Sequence, residues 1–201
     1  MKLKTIGVLL WLAILCRPGL SEAQESGYPY FYPKEHFTAG RLALKTNLLG
    51  DVALLPNIGI EVPLGDHWSV QGSYFGVWMD NDPRHEYWRM YGGDLEGRYW
   101  LGEALLGHHF GLYAQVMTYD FEFGGRGMQG RKPHFGIGAS YGWSYPVADR
   151  FTLDFNVGVG FVTGLYEEYV PCDGCYLWQN TKRLNYFGPT KAAISLVYHF
   201  K

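Results

Sequence analysis

The segment RFTLDFNVGVGFVTG, residues 150–164, sets Phe151, Leu153, Phe155, Val157, Val159 and Phe161 at every second position. The places between them hold mainly Thr, Asp, Asn and Gly. A period of two belongs to an extended strand, whose successive side chains point to opposite faces. One face of this strand is oily and the other is small or polar, so the fold turns on what each face touches. Three arrangements satisfy it: water outside and a ligand within, a second packed sheet, or lipid outside and a polar interior.

The alternation recurs along the chain, and no stretch keeps a 3.6-residue period for three turns. Residues 41–49, 57–64, 68–79, 87–101, 109–123, 134–147, 150–169 and 188–200 form eight candidate strands. An even count suits an up-and-down closed sheet. Longer connections (GDVALLP, DNDPRHE, GGRGMQGRKP, VPCDGCYLWQNTKRLNYF) roughly alternate with shorter ones (GDH, GEALLGH, ADR). Tight turns therefore gather at one end and loops at the other, the asymmetry of outer-membrane barrels.

Sorting side chains by parity selects among the three arrangements. Ile58, Ile60, Val62, Phe110, Leu112, Val116, Phe135, Ile137, Leu196, Tyr198 and Phe200 share the oily parity, while Gln71, Ser140, Asn156 and many glycines occupy the other. A soluble ligand-binding barrel would turn the oily face inward and coat its outside with Lys and Glu. Here the polar parity is too small and Gly-rich for a solvent coat, and it suits the narrow interior of an eight-strand barrel. Lys45, Glu61, Glu96, Arg98 and Asp154, all inward, are expected to neutralise one another as a polar lumen network. Basic side chains left in lipid would cost about 2 to 4 kcal/mol each at the midplane. Trp68, Trp78, Trp88, Trp100, Trp143, Tyr141 and Tyr145 fall towards strand ends, where headgroup-level rings belong. The expectation is an all-β, eight-stranded antiparallel up-and-down transmembrane β-barrel over residues 41–201, with a filled lumen.

Composition agrees: charged residues are 18%, aromatics 17%, and the 201 residues include 27 glycines. A net charge of −2 offers no field to gather nucleic acid. Residues 1–23 are read as a signal peptide, with Lys2 and Lys4, the apolar IGVLLWLAIL and small residues in Ser21-Glu22-Ala23. That apolar run is too short to span a bilayer as a helix. Residues 24–40 are read as an irregular periplasmic entry, and export to the bacterial outer membrane implies an oxidising compartment.

Motifs that carry chemistry are few. Cys172 and Cys175 form a CxxC without the βαβ setting of a redox motif or a second ligand pair for zinc, so a disulfide is expected at a loop tip. GRGMQG matches G-x-G-x-x-G but precedes another alternating strand instead of a helix. Arg126 within it and Arg131 and Lys132 just after it are candidate contacts for lipopolysaccharide phosphates. Asp80 and Asp82 lack the spacing of a calcium loop. His85, His134 or His199 with a serine such as Ser140 would be needed for a lipid-modifying enzyme, and no local motif marks such a site. No cofactor and no metal are expected. Tyr176, Leu177 and Trp178, at the tip of the last long loop, are the candidate partner surface.

ALKTNLLGDVALLPNIGIEVPLGDHWSV and PCDGCYLWQNTKRLNYFGPTKAAISLVYHF resemble the two ends of an uncharacterised Bacteroidota family, domain of unknown function 3575. The resemblance spans roughly residues 40–201 and implies an outer-membrane barrel without established catalytic residues. Some relatives of that family lie near fimbrial genes, which implies a fimbrial or other surface protein as partner. The expected function is thus non-catalytic, in envelope structure or surface-appendage interaction. Other expected partners are outer-membrane lipid and the barrel-insertion machinery, which reads a terminal aromatic, here Phe200 displaced by Lys201.

Overall fold

A computed structural model describes residues 37, 39–81, 86–172 and 175–200. The expected signal peptide, nearly all of the expected entry segment, Asp82, His85 and the Asp173-Gly174 pair lie outside the described residues. The strands are β1 (Leu42–Asn47), β2 (Asn57–Pro63), β3 (Trp68–Asn81), β4 (Glu86–Trp100) and β5 (Gly107–Phe123). They continue with β6 (Arg126–Gln129), β7 (His134–Ala148), β8 (Phe151–Cys172) and β9 (Cys175–Phe200). One short helix, α1 (Leu48–Val52), joins β1 to β2.

All strand pairings are antiparallel, and the nine-stranded sheet closes in a ring where β1 meets β9 from Leu42↔Phe200 to Asn47↔Ser195. β6 and β7 share one place in the wall. β7 fills the space between β5 and β8 up to the Met117↔His134 pair, and above it β6 pairs with both. Closure satisfies the backbone laterally, which an open sheet edge cannot do.

Two connections differ from the sequence expectation. The GGRGMQGRKP loop contains β6, because Gly124 and Gly125, at φ 61° and 77°, adopt the left-handed pair that a two-residue hairpin turn demands. The long loop expected over residues 170–187 is instead paired backbone. β8 and β9 hold register to Cys172↔Cys175, with bulges at Gly158/Val159 and Glu168/Tyr169. Its polar composition hid it, since hairpin pairing satisfies main-chain groups whatever the side chains are.

The alternation sorts inside from outside. Interior rows of small and polar residues are buried, among them Gln71, Glu96, Arg98, Ser140 and Asn156. Outer rows leave Leu112, Ile137, Val157 and Phe187 exposed. Of the aromatics expected at strand ends, Trp68, Trp78 and Trp143 stand exposed, but Trp100 turns inward and is only 1% exposed. The reason is the GEALL turn at residues 102–106, which folds across the end of the ring. Ala104 and Leu105 pack on Trp100, Ala43 and Val197 as a small apolar plug. The turn is tied by Ala104 N–H to the Asp66 carbonyl at 2.7 Å and by Trp100 N–H to the His67 carbonyl at 2.8 Å. Leu105 accepts a left-handed φ of 72° in order to point inward.

At the other end, β1 stops after six residues and Asn47 takes over. Its Oδ1 caps α1 by accepting from Leu49 N–H at 3.1 Å and also accepts from Ile194 N–H at 3.2 Å. Its Nδ2 donates to the Ala192 carbonyl at 3.2 Å. One side chain thus caps a helix and continues the ladder to β9 where the strand has ended. Asn47→Ala should lower unfolding stability by about 1 to 2 kcal/mol, at the upper part of the range for a lost helix cap. Asn47→Asp keeps both accepted bonds and should lose less. Urea unfolding followed by tryptophan emission checks this, and equal losses in the two variants would contradict the dual role.

Candidate functional site

The interior rows of β1 to β4 and β7 to β9 deliver polar side chains that meet inside the ring. Lys45 (β1) extends Nζ to three acceptors: Glu61 Oε2 at 2.9 Å, Gln71 Oε1 at 2.8 Å and Asp154 Oδ2 at 2.7 Å. All three ammonium protons are used. Arg98 (β4) donates from Nη1 to Glu61 at 3.1 Å and Asp154 at 2.9 Å, and from Nη2 to Glu96 at 3.1 Å. The five residues singled out from the sequence therefore form one bonded network, and each is at most 5% exposed.

Other residues extend it beyond what the sequence reading named. Ser69 donates to Glu61 Oε1 at 2.7 Å and itself accepts from the Trp100 indole at 2.8 Å, joining the network to the apolar plug. Ser140 donates to Glu96. Lys191 (β9) donates to Glu96 at 2.7 Å and to Asp94 at 2.8 Å, carrying the network towards the opposite end. Interior glycines leave the room: a Cβ on Gly111 would collide with the Glu96 carboxylate and the Ser140 hydroxyl. Lys191 and Asp94 share the polar parity of their strands, which is the signal that could have found them.

This arrangement ties the strands of the ring to one another across its interior. Ser140 is committed to Glu96, while His134 sits higher on the same interior row with its ring against Tyr119. His199 faces Thr152 at 3.0 Å. Among the described residues no serine and histidine are hydrogen-bonded to each other, and no three His, Cys, Asp or Glu side chains are grouped to hold a metal ion.

The end opposite the plug carries the second feature. β8 and β9 continue there as a hairpin closed by the Cys172–Cys175 disulfide, with Cα atoms 5.0 Å apart, beside the β5–β6 hairpin, whose Gly127 pairs with Tyr169. Tyr176, Leu177 and Trp178 begin β9 there and are all exposed. Tyr176 and Trp178 share one face and help line a cavity of about 300 Å³ with Arg89, Asp120, Glu167 and Tyr169. The Tyr169 hydroxyl donates to Asp120 at 2.7 Å, and burial followed by that bond pushes its phenol above the ordinary range, keeping it a neutral donor. Arg126 and Arg131 stand at opposite ends of β6, with Lys132 next to Arg131. Arg131 reaches Glu167 at 3.5 Å, and the three do not gather into one cationic cluster.

Removing one partner of a buried charge network leaves the others uncompensated, which costs about 3 to 5 kcal/mol. Arg98→Met should show a loss of that size, because Glu61, Glu96 and Asp154 all lose a donor. Arg131→Met, at the exposed Glu167 pair, should change stability by less than about 1 kcal/mol. Unfolding in denaturant with the ring in detergent micelles compares the two, and equal small losses would contradict a central role for the network.

Comparison with known proteins adds a family and little else. No curated protein and no solved structure matches the chain. A family model described as "Protein of unknown function (DUF3575)" matches residues 28–200, nearly the whole length, so the chain belongs to the DUF3575 family.

Proposed function

We propose that the chain is a transmembrane β-barrel of a bacterial outer membrane, non-catalytic and closed to flow, which works through the end that bears the β8–β9 hairpin. The observation that carries this reading is the inverted distribution of its side chains. Arg98 and Glu96 are almost wholly buried, while Leu112, Ile137 and Phe187 are 73%, 68% and 77% exposed. Water-soluble monomers rarely leave contiguous apolar surface of more than a few hundred Å². A ring whose outer rows are apolar from strand to strand is satisfied by lipid. A soluble ligand-binding barrel needs the opposite assignment of faces.

The interior explains closure. At the level of Lys45 and Arg98 the section is filled by paired side chains, and beneath it Trp100 and Leu105 plug the end. Solute passage has no open path there, so the working surface is the exterior of the hairpin end. Short turns at the plugged end suit the periplasm, and the long hairpins at the other end suit the cell exterior. Exposed Tyr176, Leu177 and Trp178 offer the aromatic anchors that protein interfaces favour, and a surface-appendage protein is the partner class we assign to them. Arg126, Arg131 and Lys132, apart from one another, fit single contacts with lipopolysaccharide phosphates at the rim.

The test is electrophoretic mobility of the envelope fraction before and after boiling. A closed barrel resists dodecyl sulfate until heated, so the unboiled protein should migrate faster and should fractionate with the outer membrane. A single band recovered from the soluble periplasm would overturn the reading and turn the oily rows inward.

A further inference from the structure

The wall is not of equal height around the ring. β1 pairs with β9 only over Ser195–Phe200, and β2 pairs with β3 only over Ser69–Phe75. β9 and β3 run on, to Cys175 and Asn81, so above β1 and β2 their edges face one another with no strand between them among the described residues. Residues 48–56 occupy the lower part of this interval. They hold the edges at the Asn47 side chain on Ala192 and Ile194, and at Gly76 N–H on the Pro56 carbonyl at 3.0 Å. Among the described residues, no backbone bond joins the facing edge of β9 to another element above Ala192.

The break lies at the height of the apolar band. Phe155, Val157, Val159 and Phe161 of β8 stand opposite Ile194, Ala192, Pro189 and Phe187 of β9. The unpaired stretch from Ala192 to Phe187 is therefore flanked by the lipid-facing row of its neighbour. α1 and the turn after it present Leu49, Val52 and Leu54 outward, continuing that band across the interval. Irregular backbone at membrane depth is tolerated only where it is covered by protein or lines a cavity.

A cavity does lie behind it. About 220 Å³ of partly open space lies between Gly50, Leu55 and Asn57 on the α1 side and Gln71, Asp94 and Lys191. A second space of about 310 Å³ above it shares Phe75, Asp94, Gln115 and Thr190 and is walled by Met90, Met117, Val162 and Leu184. The charges on the floor are matched to one another, Lys191 to Asp94 and Glu96, and Tyr113 to Thr190. Such a floor offers little to an anionic head group, and the walls above it offer an apolar lining to a chain. Flexible Met90 and Met117 adapt to an irregular guest.

We propose that the interval between the upper edges of β3 and β9, bordered by α1, is a lateral portal. Through it a single acyl chain of a neighbouring outer-leaflet lipid enters the upper chamber of the ring. This rests on the transmembrane reading above. The chain lies against Phe75, Met117, Val162 and Leu184, and the head group stays outside at the portal.

Native mass spectrometry of the detergent-solubilised full chain with palmitoyl lysophosphatidylethanolamine tests it. The expected result is a one-to-one adduct that survives removal of the micelle. The doubly filled variant Val162→Trp/Leu184→Trp should lose at least about tenfold in adduct occupancy, equivalent to about 1.4 kcal/mol. Val157→Trp, on the lipid-facing row, should keep the adduct. Heat-dependent mobility of every sample separates the two readings. A heat-modifiable wild type without an adduct, or with an adduct that the filled variant retains, overturns the portal alone. A wild type without heat-dependent mobility overturns both. Leu184→Phe repeats the comparison if the tryptophan variant loses its heat-dependent mobility.

Discussion

Two cations hold the ring to a common centre. Lys45 and Arg98 together bond to side chains from β2, β3, β4 and β8, and through Glu96 they reach Ser140 on β7 and Lys191 on β9. A sheet with a lipid-like exterior gains nothing from hydrophobic burial on its outer face, so its interior has to supply cohesion by another route. Taking one partner from a set of ion pairs shielded from water leaves the others uncompensated. That dependence explains why so many strands contribute polar residues that meet inside the ring, and why small residues surround them.

Two consequences follow from that interior. The filled section leaves no open path at the level of Lys45 and Arg98, which is why the proposed function lies at the ends and in the wall. The plugged end is sealed from within by Trp100, whose indole bonds to Ser69 while its ring packs on Leu105 and stands 4.3 Å from the His109 ring. The opposite end is more open, with long hairpins, cavities above the network and a wall that drops to half height at β1 and β2. The same chain thus couples a closed lower half to a more open upper half.

Much of this was legible in the sequence, because a strand's period of two writes inside and outside directly into residue parity. Charges placed singly within oily strands could be sorted to one side, which is how Lys45, Glu61, Glu96, Arg98 and Asp154 were found before their distances were known. What escaped had no period to betray it. β6 is four residues long, too short for alternation to register. The residues before and after the CxxC look like a polar loop, yet backbone pairing makes them a hairpin. Trp100 resembled an interfacial aromatic, and only the inward fold of the GEALL turn makes it a plug. The halt of β1 is masked because the apolar run LLGDVALL continues past it, and a five-residue helix leaves no helical signature.

The central claim is that lipid, and not water or a second sheet, covers the outer rows. Nitroxide labels at Leu112, Ile137 and Val157, one at a time, in protein reconstituted into phospholipid vesicles, test this most directly. The account predicts high collision rates with oxygen and low rates with a water-soluble nickel chelate at all three positions. Ready access of the chelate to these sites, or immobilisation of all three labels by protein contact, would contradict it.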